Sequence, residues 1–347
     1  MAYNANRNQD EMLNIAVIGA GNIAQRHLEV LTDLREGRVT TLVDSNPRVL
    51  EETSARFSVS NRLNSHESLL EGERPDAVFV LVSVLQVATV AADFIRSGIP
   101  TFLEKPPGLY TSQTRALADL ARAAGTPTMV GVNRRFYSTL LKGRELILES
   151  GPVQSVTVDA HEDIQRVRVN PKFPEEVMKR WSVANGIHAL DLLRFFGGDV
   201  ANVQPMHHTV EGPMPDCCSA LLTFAGGAVG RASMDWFAPG GHRVEVRGNG
   251  VTFTSAPGQS ATIKRRGVQP ENVEGDDFDR RYKPGFYQQD RTFLRWVGNG
   301  GALPFPACSL DDALKTMEMI DAISGNSSFN SPRRCQPFPA EAERPSE

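Results

Sequence analysis

The sequence predicts two domains: a doubly wound α/β domain on a parallel sheet, followed by an α+β domain on a mostly antiparallel sheet. Strand and helix signals alternate from residue 13 to about residue 132, which is typical of a parallel sheet with helices on both faces. A glycine-rich loop follows the first strand signal. Beyond residue 150 the strand signals are short, alternating and separated by glycine-rich turns. That pattern is typical of an antiparallel sheet with one covered face.

The first domain is expected over residues 13–132. Its apolar runs are rich in the β-branched residues that suit strands buried on both faces. Such runs occur at 14–18, 39–44, 76–83, 101–104 and 128–132. Helical patterns lie between them, and Gly98 and Gly125 stand where two of these helices should end.

The second domain is expected over residues 133–331, with a helix near 139–149 at its start. Further strands are predicted at 153–160, 218–225, 228–236, 242–248, 250–255 and 261–266. Helices are predicted at 188–198, about 288–298 and 310–324. The terminal segments 1–12 and 332–347 are predicted to be disordered, the tail because of its composition.

Composition excludes several classes of protein. Hydrophobic residues make up 40%, charged residues 22%, and the net charge is −4, so the chain resembles an ordinary globular protein and not a nucleic-acid binder. Its four cysteines have no CxxC or Cys/His spacing, which argues against a metal site or a disulfide framework and fits a reducing cytoplasm. The N-terminus is polar, unlike a secretory signal. The apolar segment 77–92 is shorter than the ~18 residues of a membrane helix.

The loop after the first strand predicts a dinucleotide site. Gly19, Gly21 and Ala24 fit the G-x-G-x-x-G/A pattern between a strand and a helix. Gly19 permits the tight turn, and Gly21 lets the backbone approach a pyrophosphate. The first helical residues, Asn22 and Ile23, would present their backbone N–H groups to that pyrophosphate.

An acidic residue favours NAD over NADP. Asp44 ends the second strand, where its carboxylate can accept hydrogen bonds from the adenosine ribose and would repel a 2′-phosphate. Arg48 lies nearby in the sequence and keeps NADP as the alternative. We therefore expect NAD as the cofactor.

A lysine ends the fourth strand of the first domain. Lys105 precedes two prolines, which disfavour a helical conformation at the lysine and hold it extended. The carboxyl ends of parallel strands form the ligand-binding edge of such a sheet. There the ammonium could reach both the nicotinamide and a substrate hydroxyl, and burial would lower its pKa. A solvated charge pair in a proline-rich turn is the alternative interpretation of the fragment alone.

Five motifs together resemble one known family. GAGNIAQRHL, VDSNP, EKPPG, GVNRRF and NGIHALDLL stand in the order and spacing of the Gfo/Idh/MocA oxidoreductases, which are related to glucose–fructose oxidoreductase and inositol dehydrogenase. The resemblance covers roughly residues 13–325 and implies a Rossmann domain followed by an α/β domain with a large open sheet. It implies that Lys105 is the catalytic lysine and that Glu104 lies at the cofactor. Arg135 would contact the substrate from the inter-domain segment beside the cofactor.

The resemblance also assigns an active-site histidine. Asn185, His188 and Asp191 recur at every third position and are predicted to share one helix face. His188 matches the histidine of the family and would accept or relay a proton. The inositol-dehydrogenase-like members carry an Asp four residues before it, where this chain has Ala184. Asn185 is the nearest polar substitute and would orient the substrate, because an amide is no base.

A second departure from the family lies near the cofactor. The family usually has a Thr-Pro-Asn-like turn followed by a His, whereas this chain reads VSVLQV at 82–87. Ser83 and Gln86 keep polar groups in that turn. Both are therefore expected to contact the cofactor.

A basic segment at 161–181 suggests a class of substrate. It is either a solvated surface loop or a cationic mouth for an anionic sugar derivative. Trp181 at its end and Tyr282 in a later loop are candidate substrate contacts. The cations of the segment are Arg166, Arg168, Lys172, Lys179 and Arg180.

The sequence as a whole predicts an NAD(P)-dependent oxidoreductase. It would transfer a hydride between nicotinamide and a secondary alcohol or ketone of a sugar, cyclitol or sugar derivative. A redox-neutral lyase or epimerase that recycles bound NAD, and a non-catalytic dinucleotide-binding metabolite sensor, are the alternatives. The open second sheet would leave an apolar face to cover, which predicts a homodimer or homotetramer.

Overall fold

The chain folds around two β-sheets, one of six strands and one of eight. The computed structural model describes residues 12–169, 173–210, 215–258 and 260–325. The segments predicted to be disordered, 1–12 and 332–347, lie outside the described residues except for Met12. Lys172 of the basic segment also lies outside them.

The first sheet is parallel throughout and has the strand order β3-β2-β1-β4-β5-β6. Its strands are β1 (Leu13–Ile18), β2 (Gly37–Val43), β3 (Asn61–Leu63), β4 (Ala77–Val80), β5 (Thr101–Glu104) and β6 (Thr128–Gly131). The connecting helices are α1 (Asn22–Leu31), α2 (Pro47–Phe57), α3 (His66–Glu71), α4 (Val87–Arg96) and α5 (Thr111–Ala124). The predicted doubly wound parallel sheet is confirmed. Strand β3 was not predicted, because it is a short edge strand without an apolar run.

The strand register brings the carboxyl ends of the parallel strands to one edge of this sheet. Alternate residues of β1 face opposite sides, so Ile15 enters one apolar cluster and Ala16 the other. The last residue of β1 pairs with the last residue of β4, and Glu104 pairs with Gly131. Lys105 and the residues after Gly131 therefore follow adjacent strand ends.

A 3₁₀ helix (Asn133–Phe136) and helix α6 (Ser138–Glu149) lead into the second sheet. Its strand order is β14-β13-β12-β11-β7-β10-β9-β8, and it is antiparallel except for the parallel pair β7 and β10. The strands are β7 (Ser155–His161), β8 (Val200–His208), β9 (Cys217–Phe224), β10 (Val229–Asp235), β11 (His242–Arg247), β12 (Val251–Ala256), β13 (Ser260–Arg265) and β14 (Glu271–Asn272). The helices are α7 (Ile164–Arg168), α8 (Glu175–Lys179), α9 (Trp181–Ala184), α10 (Ile187–Gly197), α11 (Asp277–Arg281), α12 (Phe286–Asn299) and α13 (Leu310–Ile323).

The mostly antiparallel second sheet is confirmed, and one of its faces is covered. Residues along β9 alternate between buried and exposed, with Cys218 and Leu222 buried and Leu221 exposed. Strands β8 and β14 were not predicted, because most of their side chains are exposed and break the apolar alternation. Within the described residues, no helix combines the length and apolar character required to cross a bilayer.

The helix predicted at 188–198 is present at Ile187–Gly197, but it does not extend back to Asn185. Helix α9 ends at Ala184 and α10 begins at Ile187, so Asn185 lies at the junction and does not share a helix face with His188. A Cβ atom on Gly186 would come within 2.6 Å of the Ser182 carbonyl oxygen. The glycine therefore permits a tight break in the chain, and the prediction that Asn185 shares a helix face with His188 and Asp191 is wrong.

Candidate active site

The glycine loop has the geometry of a dinucleotide cradle. Gly19 has a φ of +99°, and a Cβ atom there would lie 2.6 Å from the Leu81 carbonyl oxygen, so only glycine fits. A Cβ atom on Gly21 would meet nothing within 4 Å, which leaves open space where α1 begins. No side chain caps the N-terminus of α1. The free backbone N–H groups of its first turn, which contains Asn22 and Ile23, fit a pyrophosphate.

Asp44 ties the end of β2 to that loop. Its carboxylate accepts a 2.7 Å hydrogen bond from the Ala20 backbone and a 2.8 Å hydrogen bond from the Asn46 backbone. Arg48, the residue that would favour NADP, is exposed and donates to Glu52 at 2.8 Å. The carboxylate is therefore held at the edge where the first two strands end.

The turn after β4 keeps its two polar side chains in contact with each other. The Ser83 hydroxyl donates to the side-chain oxygen of Gln86 at 2.9 Å, and both residues are exposed. The end of β4 also abuts the glycine loop, since the Leu81 backbone donates to the Ile18 carbonyl at 2.8 Å. The cofactor contacts predicted for Ser83 and Gln86 stay predictions.

Glu104 is buried in a three-residue charge cluster. Its carboxylate contacts His27 Nε2 at 3.2 Å and accepts a hydrogen bond from the Lys105 backbone at 3.0 Å. His27 Nδ1 lies 2.8 Å from Asp290. Burial opposes the imidazolium charge, but Asp290 and Glu104 outweigh it and raise the pKa of His27 to about 9. Glu104 thus fixes the turn that carries Lys105, and the cofactor contact predicted for it stays a prediction.

Lys105 reaches from the first sheet to the α9–α10 junction. Its Nζ donates a 3.1 Å hydrogen bond to the carbonyl oxygen of Ala184. Burial, together with the charges of Lys283 and Arg134, lowers the pKa of Lys105 to about 8 despite the opposing effect of Glu104. An amine with that pKa can exchange a proton near neutral pH.

His188 stands in the first turn of α10. Burial and then the charge of Lys105 lower its pKa well below the usual value, so the ring is neutral. Its Nδ1 atom is buried and has no hydrogen-bond partner among the described residues. A buried polar atom without a partner normally has its partner in a ligand or a water molecule.

Sequence reasoning missed a carboxylate beside Asn185. Glu162 follows β7 and accepts hydrogen bonds from the side-chain amide of Asn185 at 2.6 Å and from the indole N–H of Trp181 at 2.7 Å. The structure therefore brings Trp181, Asn185 and Lys105 into one region, since Ala184 lies directly before Asn185. The available signal was the polar HED triplet at the end of a strand.

Sequence reasoning also missed two residues whose charges or rings face this region. These residues are Arg134 and His242. After burial and the charge of Lys105, the charge of Arg134 also lowers the pKa of His188. Burial, followed by the charge of Arg134, lowers the pKa of His242 to about 3. The His161 ring, at the end of β7, pairs with Asp235. No motif in the sequence distinguishes these residues from ordinary polar residues at strand and turn ends.

Arg135, predicted as a substrate contact, is a buried ion-pair residue. All three nitrogens of its guanidinium donate to carboxylates: Nε at 2.6 Å and Nη2 at 2.7 Å to Asp191, and Nη1 to Asp312. Its side chain therefore joins the 3₁₀ helix to α10 and α13. The neighbouring Arg134, and not Arg135, has a guanidinium nitrogen without a hydrogen-bond partner in the described part of the chain.

Tyr282, the other predicted contact, points to the opposite edge of the first sheet. Its hydroxyl donates to Asp33, just beyond the C-terminal end of α1. The glycine loop precedes the other end of that helix, and 10 residues of helix separate them, or roughly 15 Å. The structure does not bring the Tyr282 hydroxyl to Lys105.

The basic segment splits into a buried and an exposed part. Arg180 is buried, donates to Asp321 at 2.6 Å and lies over the Tyr110 ring at 5.5 Å. Arg166, Arg168 and Lys179 are exposed. Arg180 is thus a packing residue, and the exposed residues resemble a solvated surface.

Two models of known families match the chain. The model described as the oxidoreductase family with an NAD-binding Rossmann fold matches residues 13–132. The GFO/IDH/MocA C-terminal domain matches residues 149–254.

Known proteins resemble the chain over most of its length. It is 24% identical over 341 residues to inositol 2-dehydrogenase of Rhizobium meliloti (strain 1021), which covers 89% of this chain and 95% of that protein. It is also 24% identical over 312 residues to the myo-inositol dehydrogenase Hyg17 of Streptomyces leeuwenhoekii, covering 84% and 90%. An oxidoreductase from Agrobacterium radiobacter, solved with NAD+, L-tartaric acid and magnesium, has the same fold with a TM-score of 0.77, 18% identity and coverage of 92% and 97%.

Proposed function

The chain belongs to the Gfo/Idh/MocA family of oxidoreductases, and from this membership we propose that it oxidises or reduces a sugar-like substrate at a secondary carbon. A hydride passes between nicotinamide and a secondary alcohol or ketone of a sugar, cyclitol or sugar derivative. The inositol dehydrogenases among its relatives support this substrate class. The observation that carries the proposal is the position of Lys105, which follows β5 at the ligand edge of the first sheet and donates to the Ala184 carbonyl of the second domain at 3.1 Å.

NAD is the cofactor, and when bound it accepts the hydride. Gly19, Gly21, Asn22 and Ile23 would hold its pyrophosphate through backbone N–H groups. Asp44 would accept hydrogen bonds from the adenosine ribose, and its negative charge disfavours a 2′-phosphate.

Lys105 takes the proton that leaves the substrate hydroxyl. A general base works best when its pKa is near the operating pH, and the pKa of Lys105 of about 8 meets that condition. The low pKa of His188 makes its ring a weak base. We therefore assign proton transfer to Lys105 and give His188 the role of a neutral hydrogen-bond partner of the hydroxyl. This assignment differs from the expectation that His188 accepts or relays the proton.

Asn185, which directly follows the carbonyl acceptor of Lys105, orients the substrate. Its amide group is fixed by the 2.6 Å hydrogen bond to Glu162. Trp181 donates to the same carboxylate at 2.7 Å, which restricts Glu162 further. The side-chain oxygen of Asn185 is then directed away from Glu162 and can accept a hydrogen bond from a hydroxyl.

Screening neutral sugars, cyclitols and sugar acids for NADH formation tests the function. We expect at least one member of these classes to reduce NAD in proportion to substrate consumed. Product analysis separates this outcome from a redox-neutral lyase or epimerase, which would convert substrate without net NADH. A protein that binds NAD and turns over no member of the panel would support a sensor and contradict the proposal.

We also propose a homodimer or homotetramer that works in the cytoplasm. The open face of the second sheet exposes Met206, Leu221 and Val229, at 71%, 52% and 53% of their surface. Symmetric pairing of this face would remove them from water. Sedimentation tests the pairing. We expect the wild type to be an oligomer and the Leu221→Asp variant to be a monomer. A monomeric wild type at micromolar concentration contradicts it.

A further inference from the structure

One guanidinium beside the site has no counter-ion in the described segments of the chain. The Nη1 atom of Arg134 is buried and has no hydrogen-bond partner among the described residues. Across 12–169, 173–210, 215–258 and 260–325, no salt bridge joins Arg134, Lys105 or Lys283 to a carboxylate. Arginine stays protonated in proteins, and a buried charge without a partner is costly. The chain therefore leaves positive charge here that a ligand can compensate.

The fold holds this charge in a fixed position. Arg134 lies in the 3₁₀ helix directly after β6, and the neighbouring Asn133 amide donates to the Pro284 carbonyl at 3.1 Å. A Cβ atom on Gly285 would come within 2.2 Å of the Asn133 carbonyl oxygen, so the two segments are in direct contact. This contact brings Lys283 beside Arg134. Arg134 thus lies in a segment that packs against the residues before α12.

The charge faces the second domain. Because Glu104 pairs with Gly131, Arg134 follows the strand next to the one that ends at Lys105. Arg134 is also the charge that acts most strongly on His242, at the start of β11. Lys283 is exposed and lies at the rim. The guanidinium therefore lies on the side of the site to which the second domain contributes His188 and His242.

Nearby carboxylates are already engaged. Glu104 contacts the protonated His27 at 3.2 Å, and Glu162 is held by Trp181 and Asn185. His188 and His242 are neutral, since burial is the first cause that lowers the pKa of each ring. Arg134, Lys105 and Lys283 consequently remain without an ion-pair partner among the described residues. A neutral sugar would leave these charges unpaired.

We propose that Arg134, with His242 beside it and Lys283 at the rim, binds an anionic group of the substrate, and that this group is a carboxylate. The substrate is then a sugar acid or a related anionic sugar derivative. The planar guanidinium can form two parallel hydrogen bonds with a carboxylate, which fixes the orientation of the sugar as well as its charge. This inference rests on the proposed function, because it narrows the substrate class of the same site.

Matched acids and neutral sugars test the proposal with the full chain. NADH formation is measured with D-glucuronate against D-glucose and with D-galacturonate against D-galactose, and D-glucose 6-phosphate provides a phosphate arm. We expect a higher kcat/KM for the acids. Arg134→Gln should raise KM for the acids by about tenfold or more, the scale of a lost charge-assisted hydrogen bond, with little change for neutral sugars. Arg134→Lys should restore part of the loss.

The control variants separate a specific site from general attraction of anions. Arg166→Gln removes an exposed cation of α7 and should leave the KM for the acids unchanged. Lys283→Gln, a change at an exposed side chain that should not impair folding, should raise the KM for the acids less than Arg134→Gln does. Equal effects of Arg134→Gln on acids and neutral sugars would overturn the proposal. So would a preference for the 6-phosphate over the acids, or a loss of NAD affinity in Arg134→Gln.

Binding without turnover keeps the two proposals distinguishable. If no sugar reduces NAD, the proposed function fails, and calorimetric titration of the NAD-loaded protein with D-glucuronate still examines the anion site. Saturable binding that Arg134→Gln removes supports the site. Wild-type protein that binds neither uronate overturns it.

Discussion

The ammonium of Lys105 donates a 3.1 Å hydrogen bond to the carbonyl oxygen of Ala184. Ala184 stands where the inositol-dehydrogenase-like members of the family carry an aspartate, so a backbone carbonyl receives the lysine in place of a carboxylate. A carboxylate would favour the charged amine and raise its pKa. A neutral carbonyl favours the charged amine less than a carboxylate does, and burial lowers the pKa of Lys105 to about 8.

Lys105→Ala should reduce turnover by at least ~10²-fold, the scale of a lost general acid–base contribution. NAD affinity should change little, because the pyrophosphate and ribose contacts are assigned to the glycine loop and Asp44. Turnover under saturating substrate and NAD titration by fluorescence measure the two quantities. Near-normal turnover of the variant would make the lysine turn structural.

The kcat of alcohol oxidation should rise with pH and level off above about pH 8, the pKa to which burial lowers Lys105. The neutral amine takes the hydroxyl proton, and it is the minor form below that pH. Ketone reduction should show the opposite dependence, since it needs the ammonium as proton donor. The measurement is kcat against pH in both directions, with a deuterated alcohol to establish that hydride transfer limits the rate. A flat oxidation profile with a full isotope effect would rule out Lys105 as the acceptor.

Glu162→Gln should raise the KM of the sugar by about tenfold while kcat falls less, because Asn185 loses a charged acceptor that orients it. The 2.6 Å and 2.7 Å hydrogen bonds of Glu162 to Asn185 and Trp181 are the contacts at risk. Glu176→Gln is a matched control, since Glu176 is an exposed carboxylate that accepts from Tyr110 at 3.1 Å. Steady-state kinetics of both variants provide the comparison. An unchanged KM in Glu162→Gln would leave Glu162 with a packing role alone.

Asp44→Ala should weaken NAD binding by about tenfold and narrow its advantage over NADP, because the ribose loses an acceptor and a 2′-phosphate loses a repelling charge. Titrations with both dinucleotides measure the ratio. Arg48→Gln is the control and should leave the ratio unchanged, since Arg48 is exposed and paired with Glu52 at 2.8 Å. The role of Asp44 would be refuted by an unchanged preference in a variant that folds normally.

His27→Gln should lower the free energy of unfolding by about 3 kcal/mol at acidic pH, the scale of breaking a buried ion pair. Burial opposes the charge on His27, but Asp290 and Glu104 raise its pKa from 6.5 to about 9. The stabilisation from the imidazolium is therefore complete below pH 6.5, decreases between pH 6.5 and about 9, and is lost above about 9. Denaturant unfolding at several pH values measures it, with the exposed Lys142→Gln as control. A difference that grows with pH would contradict this assignment.

Some residues of the site can be predicted from nearby sequence motifs, whereas others depend on partners far away in the sequence. Gly19, Gly21 and Lys105 were found because motif spacing places them at strand ends, and the parallel register brings those ends together. Arg134 was missed in favour of Arg135, since the choice between adjacent arginines depends on which one meets Asp191 and Asp312. Those partners lie far away in the sequence.

The sequence by itself determined the parallel first sheet, the mostly antiparallel second sheet, the cofactor class and the position of Lys105. These features follow from apolar periodicity, turn residues and motif spacing, which act over a few residues. Only the tertiary structure decided that Glu162 holds Asn185, that Tyr282 reaches Asp33, and that the Nη1 atom of Arg134 has no partner within the described part of the chain. Such contacts depend on how separate elements pack, and a side chain's partner is fixed by that packing and not by its neighbours in the chain.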